Sequence, residues 1–256
     1  MLSIKPIHTS YLNADHNMNL LLLSPSDCYH QNRARIDDRR LLHLQNILKT
    51  APESILKVGL IDGQIGSGTV LKIDATMAEL EISFERDPPP ALPVTLILAL
   101  PRPKALRRII RNVTVLGVKR IHLINAWKVE KSYWQSPLLS PENIREQLTL
   151  GLEQAVDTVM PKVSLHPLFK PFVEDELSNI SKNTLTYVAH PGADNPAPPT
   201  NPQADNKPAI TLAVGPEGGF TPYEIEKFEE VGFLPISLGP RILNVEVAVS
   251  ALLCRY

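Results

Sequence analysis

Along the first third of the chain the apolar residues come in short, β-like runs. Leu20–Leu23, Ile55–Ile61, Ser67–Ile73 and Ala78–Ser83 read as strands, and one helix over Asp38–Lys49 interrupts them. Asp62-Gly63 is a hairpin turn signal, and Gly66 and Gly68 add bulge-type punctuation. Residues 1–87 therefore read as a small, mostly β, barrel-like domain. The pattern breaks at Asp87-Pro88-Pro89-Pro90-Ala91-Leu92-Pro93, where the density of proline admits neither a helix nor a central strand. Residues 88–93 read as a stiff linker.

Beyond the linker the period alternates between strand and helix. Strands are predicted at 94–100, 120–124, 162–166, 184–189, 209–214 and 234–238. Helices fall at 103–117, 141–158, 172–180, 222–231 and 242–254. Such alternation with short connections means a parallel α/β sheet flanked by helices, over residues 94–256. Ser140-Pro141 and Thr221-Pro222 each set a capping hydroxyl before a proline at the first helical position, and Thr221 with Glu224 fits a capping box. Pro191–Pro208, proline-rich with Asn, Asp and Ala, reads as a mobile loop between two buried strands.

At 256 residues, 43% hydrophobic and 21% charged, the chain has the makings of a folded globular protein. Its apolar runs, such as Leu96–Leu100, fall far short of the roughly 20 residues that cross a bilayer. MLSIKPIHTS lacks the pattern of a signal peptide, and Cys28 and Cys254 read as reduced thiols, so a cytoplasmic location is expected. No His/Cys/Asp/Glu group has ligand spacing, so no metal is implied.

The formal net charge of −1 hides an asymmetry: counted along the chain, residues 1–90 carry −2, residues 91–150 carry +7 and residues 151–256 carry −6. A basic middle points to a polyanion as partner. In the helix at 103–117, Lys104, Arg107, Arg108 and Arg111 share one face, and Leu106, Ile109, Ile110, Val113 and Leu116 take the other. Lys131, Tyr133 and Trp134 add a charge and two rings able to stack on an unpaired base.

Three turns at strand ends are the candidates for chemistry, because open parallel sheets bind ligands there. They are Ala189-His190-Pro191-Gly192; Val214-Gly215-Pro216-Glu217-Gly218-Gly219; and Leu238-Gly239-Pro240-Arg241-Ile242-Leu243. Glycine at such turns lets the backbone approach a ligand closely. The spacing is neither GxGxxG nor GxxxxGK[ST], so the dinucleotide and phosphate-loop motifs do not apply. A pocket lined mostly by backbone suits adenine and a methionine-like tail.

GPEGGF followed about 20 residues later by LGPRIL resembles the ribosomal small-subunit RNA uridine-N3 methyltransferases of the SPOUT superfamily. Leu41–Lys49, Leu98-Ala99-Leu100-Pro101 and Leu116-Gly117-Val118 match further segments of that family. The resemblance implies an S-adenosylmethionine-binding α/β domain with a C-terminal trefoil knot, a PUA-like β-barrel in front that binds RNA, and a homodimer. It also implies 16S ribosomal RNA, free or in the assembled small subunit, as substrate. Ala189, His190, Pro191, Gly192, Val214 to Gly219, Leu238, Gly239, Ile242 and Leu243 would hold the cofactor. Asn244 and Val247 stand where the family has arginine and threonine, while Glu246 and Ala248 match.

The catalytic set expected from this resemblance is Arg241, which would stabilise a uridine anion at N3, with Glu246 and Asn244 beside it. Glu217 and Glu246 are candidates for proton acceptors or for struts, the strut role being preferred. Two alternatives stay open at this level: an RNA-binding protein of the same fold with weakened catalysis, on account of Asn244 and Val247, and a nucleotide-binding enzyme indifferent to RNA. Ile242, Val245, Val249 and Leu252 form an apolar stripe on the last helix, expected to be the dimer contact.

Overall fold

A computed structural model describes residues 19–30, 32–198 and 208–256. The MLSIKPIHTS segment and part of the Pro191–Pro208 loop lie outside the described residues. The chain forms two six-stranded sheets.

The first sheet contains β1 (Leu21–Leu23), β2 (Cys28–Tyr29), β3 (Arg33–Ile36), β4 (Ile55–Leu60), β5 (Ile65–Ile73) and β6 (Ala78–Arg86), with α1 (Arg39–Asn46) between β3 and β4. Its order is β1-β4-β5-β6-β3-β2, with β1 and β4 parallel and the remaining pairs antiparallel. β2 and β3 carry no clear sequence signal because they are short and their exposed positions are polar. The β4–β5 turn runs through Asp62 at φ 57°, and Gly66 is required where β5 meets β6: a Cβ there would lie 1.8 Å from the Ser83 carbonyl oxygen. Arg40, 8% exposed, ties α1 to the start of the chain. Its guanidinium donates to both Asp27 carboxylate oxygens at 2.7 and 2.9 Å, to Asp38 at 2.8 Å and to the Leu22 carbonyl at 2.7 Å.

The second sheet contains β7 (Leu92–Ala99), β8 (Val118–Ile124), β9 (Lys162–His166), β10 (Leu185–Ala189), β11 (Ile210–Val214) and β12 (Leu234–Ile236). All pairs are parallel, in the order β12-β10-β11-β7-β8-β9. The helices are α2 (Pro103–Val115), α3 (Pro141–Ala155), α4 (Phe169–Pro171), α5 (Leu177–Ile180), α6 (Pro222–Glu230) and α7 (Val245–Leu253). β7 already begins at Leu92, within the proline-rich stretch assigned to the linker. After β9 the chain crosses back, so that β10, β11 and β12 lie on the other side of β7. The capping hydroxyls behave as expected: Ser140 accepts from Asn143 N–H, and Thr221 and Glu224 form the reciprocal box.

Several boundaries differ from the sequence expectation, and three helical ones show a change of local conformation or a cap. α3 stops at Ala155 because Val156 adopts a left-handed conformation, φ 57°. The segment after β9 is helical from Phe169, with a π-turn at Phe172–Glu176. α7 starts at Val245 rather than at residue 242, because the Asn244 side chain caps it, accepting from Val247 N–H at 2.9 Å.

The apolar stripe of α7 is also corrected. Val245, Val249, Leu252 and Leu253 are at most 6% exposed and belong to the core shared with β7, β11 and α2. They cannot meet a second copy, which leaves Ile242 and Val247 as exposed apolar groups there. The two sheets are joined by Leu20, Leu22 and Ile65 packed on Leu152, and by an Arg39–Glu153 ion pair of 2.8 Å.

Candidate active site

The three turns singled out in the sequence meet at the carboxyl ends of β10, β11 and β12. The first and third are laced together: His190 N–H donates to the Ile236 carbonyl, Ser237 N–H to that of Asn195, and Ala197 N–H to that of Ser237, each at 2.8–2.9 Å. Ser237 Oγ accepts from Gly239 N–H at 3.1 Å, fixing the turn into Arg241. Between them lies a cavity of about 320 Å³, within the range of small-molecule sites.

Ala189, His190, Pro191, Val214, Gly215, Pro216, Glu217, Gly218, Gly219, Leu238, Gly239, Arg241, Ile242 and Leu243 all line this cavity. Gly192, Asn244 and Glu246 are absent from its wall. The structure adds Lys128, Phe220, Ile236, Ser237, Val245, Ala248 and Leu252. Ile236 sits on β12 and Val245, Ala248 and Leu252 on α7, whose spacing signals only a core, while Phe220 closes the GPEGGF turn. Lys128 comes from the loop after β8 and carries no local signal.

Glycine is needed here for two distinct reasons. At Gly219 and Gly239, φ is 69° and 106°, a region that side chains disfavour. At Gly215 a Cβ would approach the Phe220 nitrogen to 3.0 Å and its ring to 3.1 Å. Gly218 is less constrained, since a Cβ there would meet mainly the flexible stem of Lys128, whose ammonium donates to the Gly218 carbonyl at 2.6 Å.

The charged groups divide sharply. Glu217 accepts from Arg102 N–H at 3.1 Å, and Glu246 holds the Arg108 guanidinium at 2.8 Å. Both carboxylates act as struts, between the glycine turn and α2 and between α7 and α2. Arg241 is exposed and makes no hydrogen bond or ion pair among the described residues. His190 Nδ1 is buried without a hydrogen-bond partner among the described residues. An unpaired guanidinium on the cavity wall and an unsatisfied buried ring nitrogen in a lining residue are features of a site built for a polar ligand.

The basic stripe of α2 divides too. Lys104, Arg107 and Arg108 are exposed, but Arg108 is bound to Glu246 and the half-buried Arg111 donates to Gln147 of α3 at 2.7 Å. Burial and the nearby Arg107 push the Arg111 guanidinium below its ordinary pKa. The face expected to be free for a polyanion is thus half occupied by helix packing. Lys131 is exposed; Tyr133 and Trp134 are half-buried against the core, with Trp134 Nε1–H donating to Asn125 at 2.9 Å.

A parallel α/β sheet with its cavity at the carboxyl ends of three neighbouring strands, walled by glycine turns, is the architecture of a small-molecule-binding enzyme domain. The chain belongs to the RNA methyltransferase domain family, whose description matches residues 88–255. It is similar to the ribosomal RNA small subunit methyltransferase E of Treponema pallidum, 28% identical over 91% of this chain and 88% of that one. It is also similar to the protein of that name from Synechocystis, 33% identical over 64% of this chain and 52% of that one. The fold matches a crystal structure of ribosomal RNA small subunit methyltransferase E from Neisseria gonorrhoeae bound to S-adenosyl methionine. The TM-score is 0.71 and the identity 21%, over 93% of this chain and 95% of that one.

Proposed function

We propose that this chain transfers a methyl group from S-adenosylmethionine to N3 of a uridine in 16S ribosomal RNA, free or within the small subunit, in the cytoplasm and as a homodimer. The observation that carries the reading is the three-turn cavity, with its glycine-shaped backbone wall, its apolar lining by Ile236, Leu238 and Leu252, and the unpaired Arg241 guanidinium at its edge. An adenine suits the apolar lining and backbone amides, and the carboxylate of a methionine-like tail suits the unpaired Arg241 guanidinium. The residues present therefore suit this cofactor.

When bound, S-adenosylmethionine supplies an electrophilic methyl group on a sulfonium. Arg241, at the edge of the cavity, offers its guanidinium to the negative charge that grows on the uracil ring as N3 gives up its proton to solvent. Glu217 and Glu246 hold the turns to α2 and are positioning residues. Asn244, which replaces the family arginine, serves α7 as its cap, so its presence is accounted for by structure and does not favour an inactive protein. Alignment of donor and acceptor by the rigid turns provides much of the acceleration.

Lys104 and Arg107 on α2, Lys131, and the first sheet as a PUA-like barrel would carry the RNA, with Arg108 and Arg111 adding to the same positive field. Tyr133 and Trp134 would border its path. Arg255, after α7, donates to the carbonyls of Ala197 and Pro198 at 3.3 and 3.2 Å, tying the C-terminal segment to the chain after β10, in the region where the resemblance implies a trefoil knot. Calorimetry with S-adenosylmethionine, S-adenosylhomocysteine and NAD side by side tests the cofactor. Binding of the first two and not the third is expected; NAD binding alone would contradict the reading.

A further inference from the structure

A second cleft, of about 1,040 Å³, has no lining residue in common with the first, but the two linings alternate along the same stretches of chain. Lys128 of the cofactor cavity is flanked by Trp127 and Val129 of this cleft, and Phe220 by Thr221. The partition is clasped from both sides: Lys128 donates to the Gly218 carbonyl at 2.6 Å, and Trp127 N–H donates to the Glu224 carboxylate at 2.6 Å. The Glu224 charge is further met by Thr221 N–H and Oγ1–H, at 2.8 and 2.9 Å, so the inner wall repels an anion little.

The contents of the cleft are unusual for a surface. The Trp127 indole is 84% exposed and Tyr223 50%. Trp127, Trp134 and Tyr223 all line the cleft, and none of their rings packs on another aromatic ring among the described residues. Trp134 is held in place by its hydrogen bond to Asn125, and Lys227 sits 5.7 Å from the centre of the Tyr223 ring. Lys131 supplies positive charge at the margin, as does Lys170, whose ammonium lies 3.7 Å from the exposed Glu174 carboxylate. An exposed indole on a loop held by two hydrogen bonds, beside two further rings and two lysines, is a stacking platform with an electrostatic rim.

We infer that this cleft receives an unpaired base adjacent to the target nucleotide, stacked on Trp127, with its phosphates near Lys131 and Lys170. The inference rests on the RNA reading above and adds to it a second base-binding position, next to the cavity and separated from it only by the 126–129 loop. Recognition there is by ring face and charge. The Asn125 amide oxygen accepts from Trp134 and Glu224 is occupied by its donors, so the base is held with little discrimination between sequences.

The chain has two tryptophans, Trp127 and Trp134, and both line this cleft. Intrinsic tryptophan emission of the full chain is therefore a local probe. It is followed during titration with a single-stranded RNA decamer carrying a central uridine, and with the same decamer made abasic on both sides of that uridine. Overall binding is measured in parallel by filter retention. The expected result is quenching by the intact decamer, and a loss of affinity in Trp127→Ala of roughly 5- to 100-fold, the effect of one stacked base. Trp127→Phe should keep most of the affinity. The abasic decamer should bind the parent about as weakly as the intact one binds Trp127→Ala, with no further loss when the two changes are combined. Thermal unfolding of both variants checks that the exposed position leaves the fold intact, and the parent titrations stand without either variant. If filter retention shows binding while emission, Trp127→Ala affinity and the abasic comparison stay unchanged, the cleft is not a base site although the RNA reading survives. If the parent retains no RNA at all, both fall.

Discussion

The two sheets treat their polar groups in opposite ways. In the first, Arg40 is enclosed and every arm of its guanidinium is used, on Asp27, Asp38 and the Leu22 carbonyl. In the second, the carboxyl ends of β10 to β12 carry the unpaired Arg241 guanidinium on the cavity wall and a buried His190 Nδ1 with no hydrogen-bond partner among the described residues. A completed network rigidifies a fold and has nothing left to offer a ligand, whereas an incomplete one is stabilised by binding. The difference separates scaffold from site more sharply than residue type does, since both regions feature an arginine.

The largest test of this contrast is Arg40→Met. It leaves Asp27 partly buried without its cation, and stability should fall by about 3–5 kcal/mol in denaturant titration, with S-adenosylmethionine affinity of the remaining folded protein unaffected. Gly215→Val should do the reverse. Its side chain would press on Phe220, at a strain of about 1–3 kcal/mol confined to the turn, and cofactor affinity by calorimetry should drop at least about tenfold. Gly218→Ala is the control, with a much smaller effect because the Lys128 stem can move aside. Arg241→Ala should leave the unfolding free energy within about 0.5 kcal/mol of the parent, as expected of an unpaired surface group. It should lower the methyl-transfer rate by roughly 10- to 100-fold, with cofactor affinity little changed.

The smallest effect separates the free from the engaged half of the basic stripe on α2. Lys104→Ala with Arg107→Ala should leave stability unchanged and reduce the salt slope of single-stranded RNA binding by about 0.7 for each phosphate no longer neutralised. Arg108→Ala with Arg111→Ala should also loosen α2 from α7 and α3, and so lower the unfolding midpoint. Equal stability of the two double variants would contradict this division of the stripe.

Much of this organisation is legible in the amino-acid order, because it depends on neighbours. The Ser140-Pro141 and Thr221-Pro222 starts, the Asp62 turn and the two faces of α2 all follow from residues within one turn of each other. The three cavity-lining turns are legible for the same reason: glycine next to a strand end is a local sign. The features that stay hidden in the sequence depend on distant partners. Nothing around Arg108 announces Glu246, 138 positions away, and nothing around Lys128 announces the Gly218 carbonyl. The stripe on α7 has the right period but an ambiguous meaning, since a core face and an interface look alike in sequence. Asn244 reads in the sequence as the replacement of an arginine; in the fold it is the residue that starts α7.

The central claim is most directly tested by nucleoside analysis of small-subunit RNA after incubation with the purified protein and S-adenosylmethionine carrying a labelled methyl group. Digestion to nucleosides and mass spectrometry should show the label in 3-methyluridine, at a stoichiometry approaching one per 16S RNA, and Arg241→Ala should slow its appearance. Label in a ribose, in another base, or nowhere in RNA that the protein demonstrably binds would contradict the account.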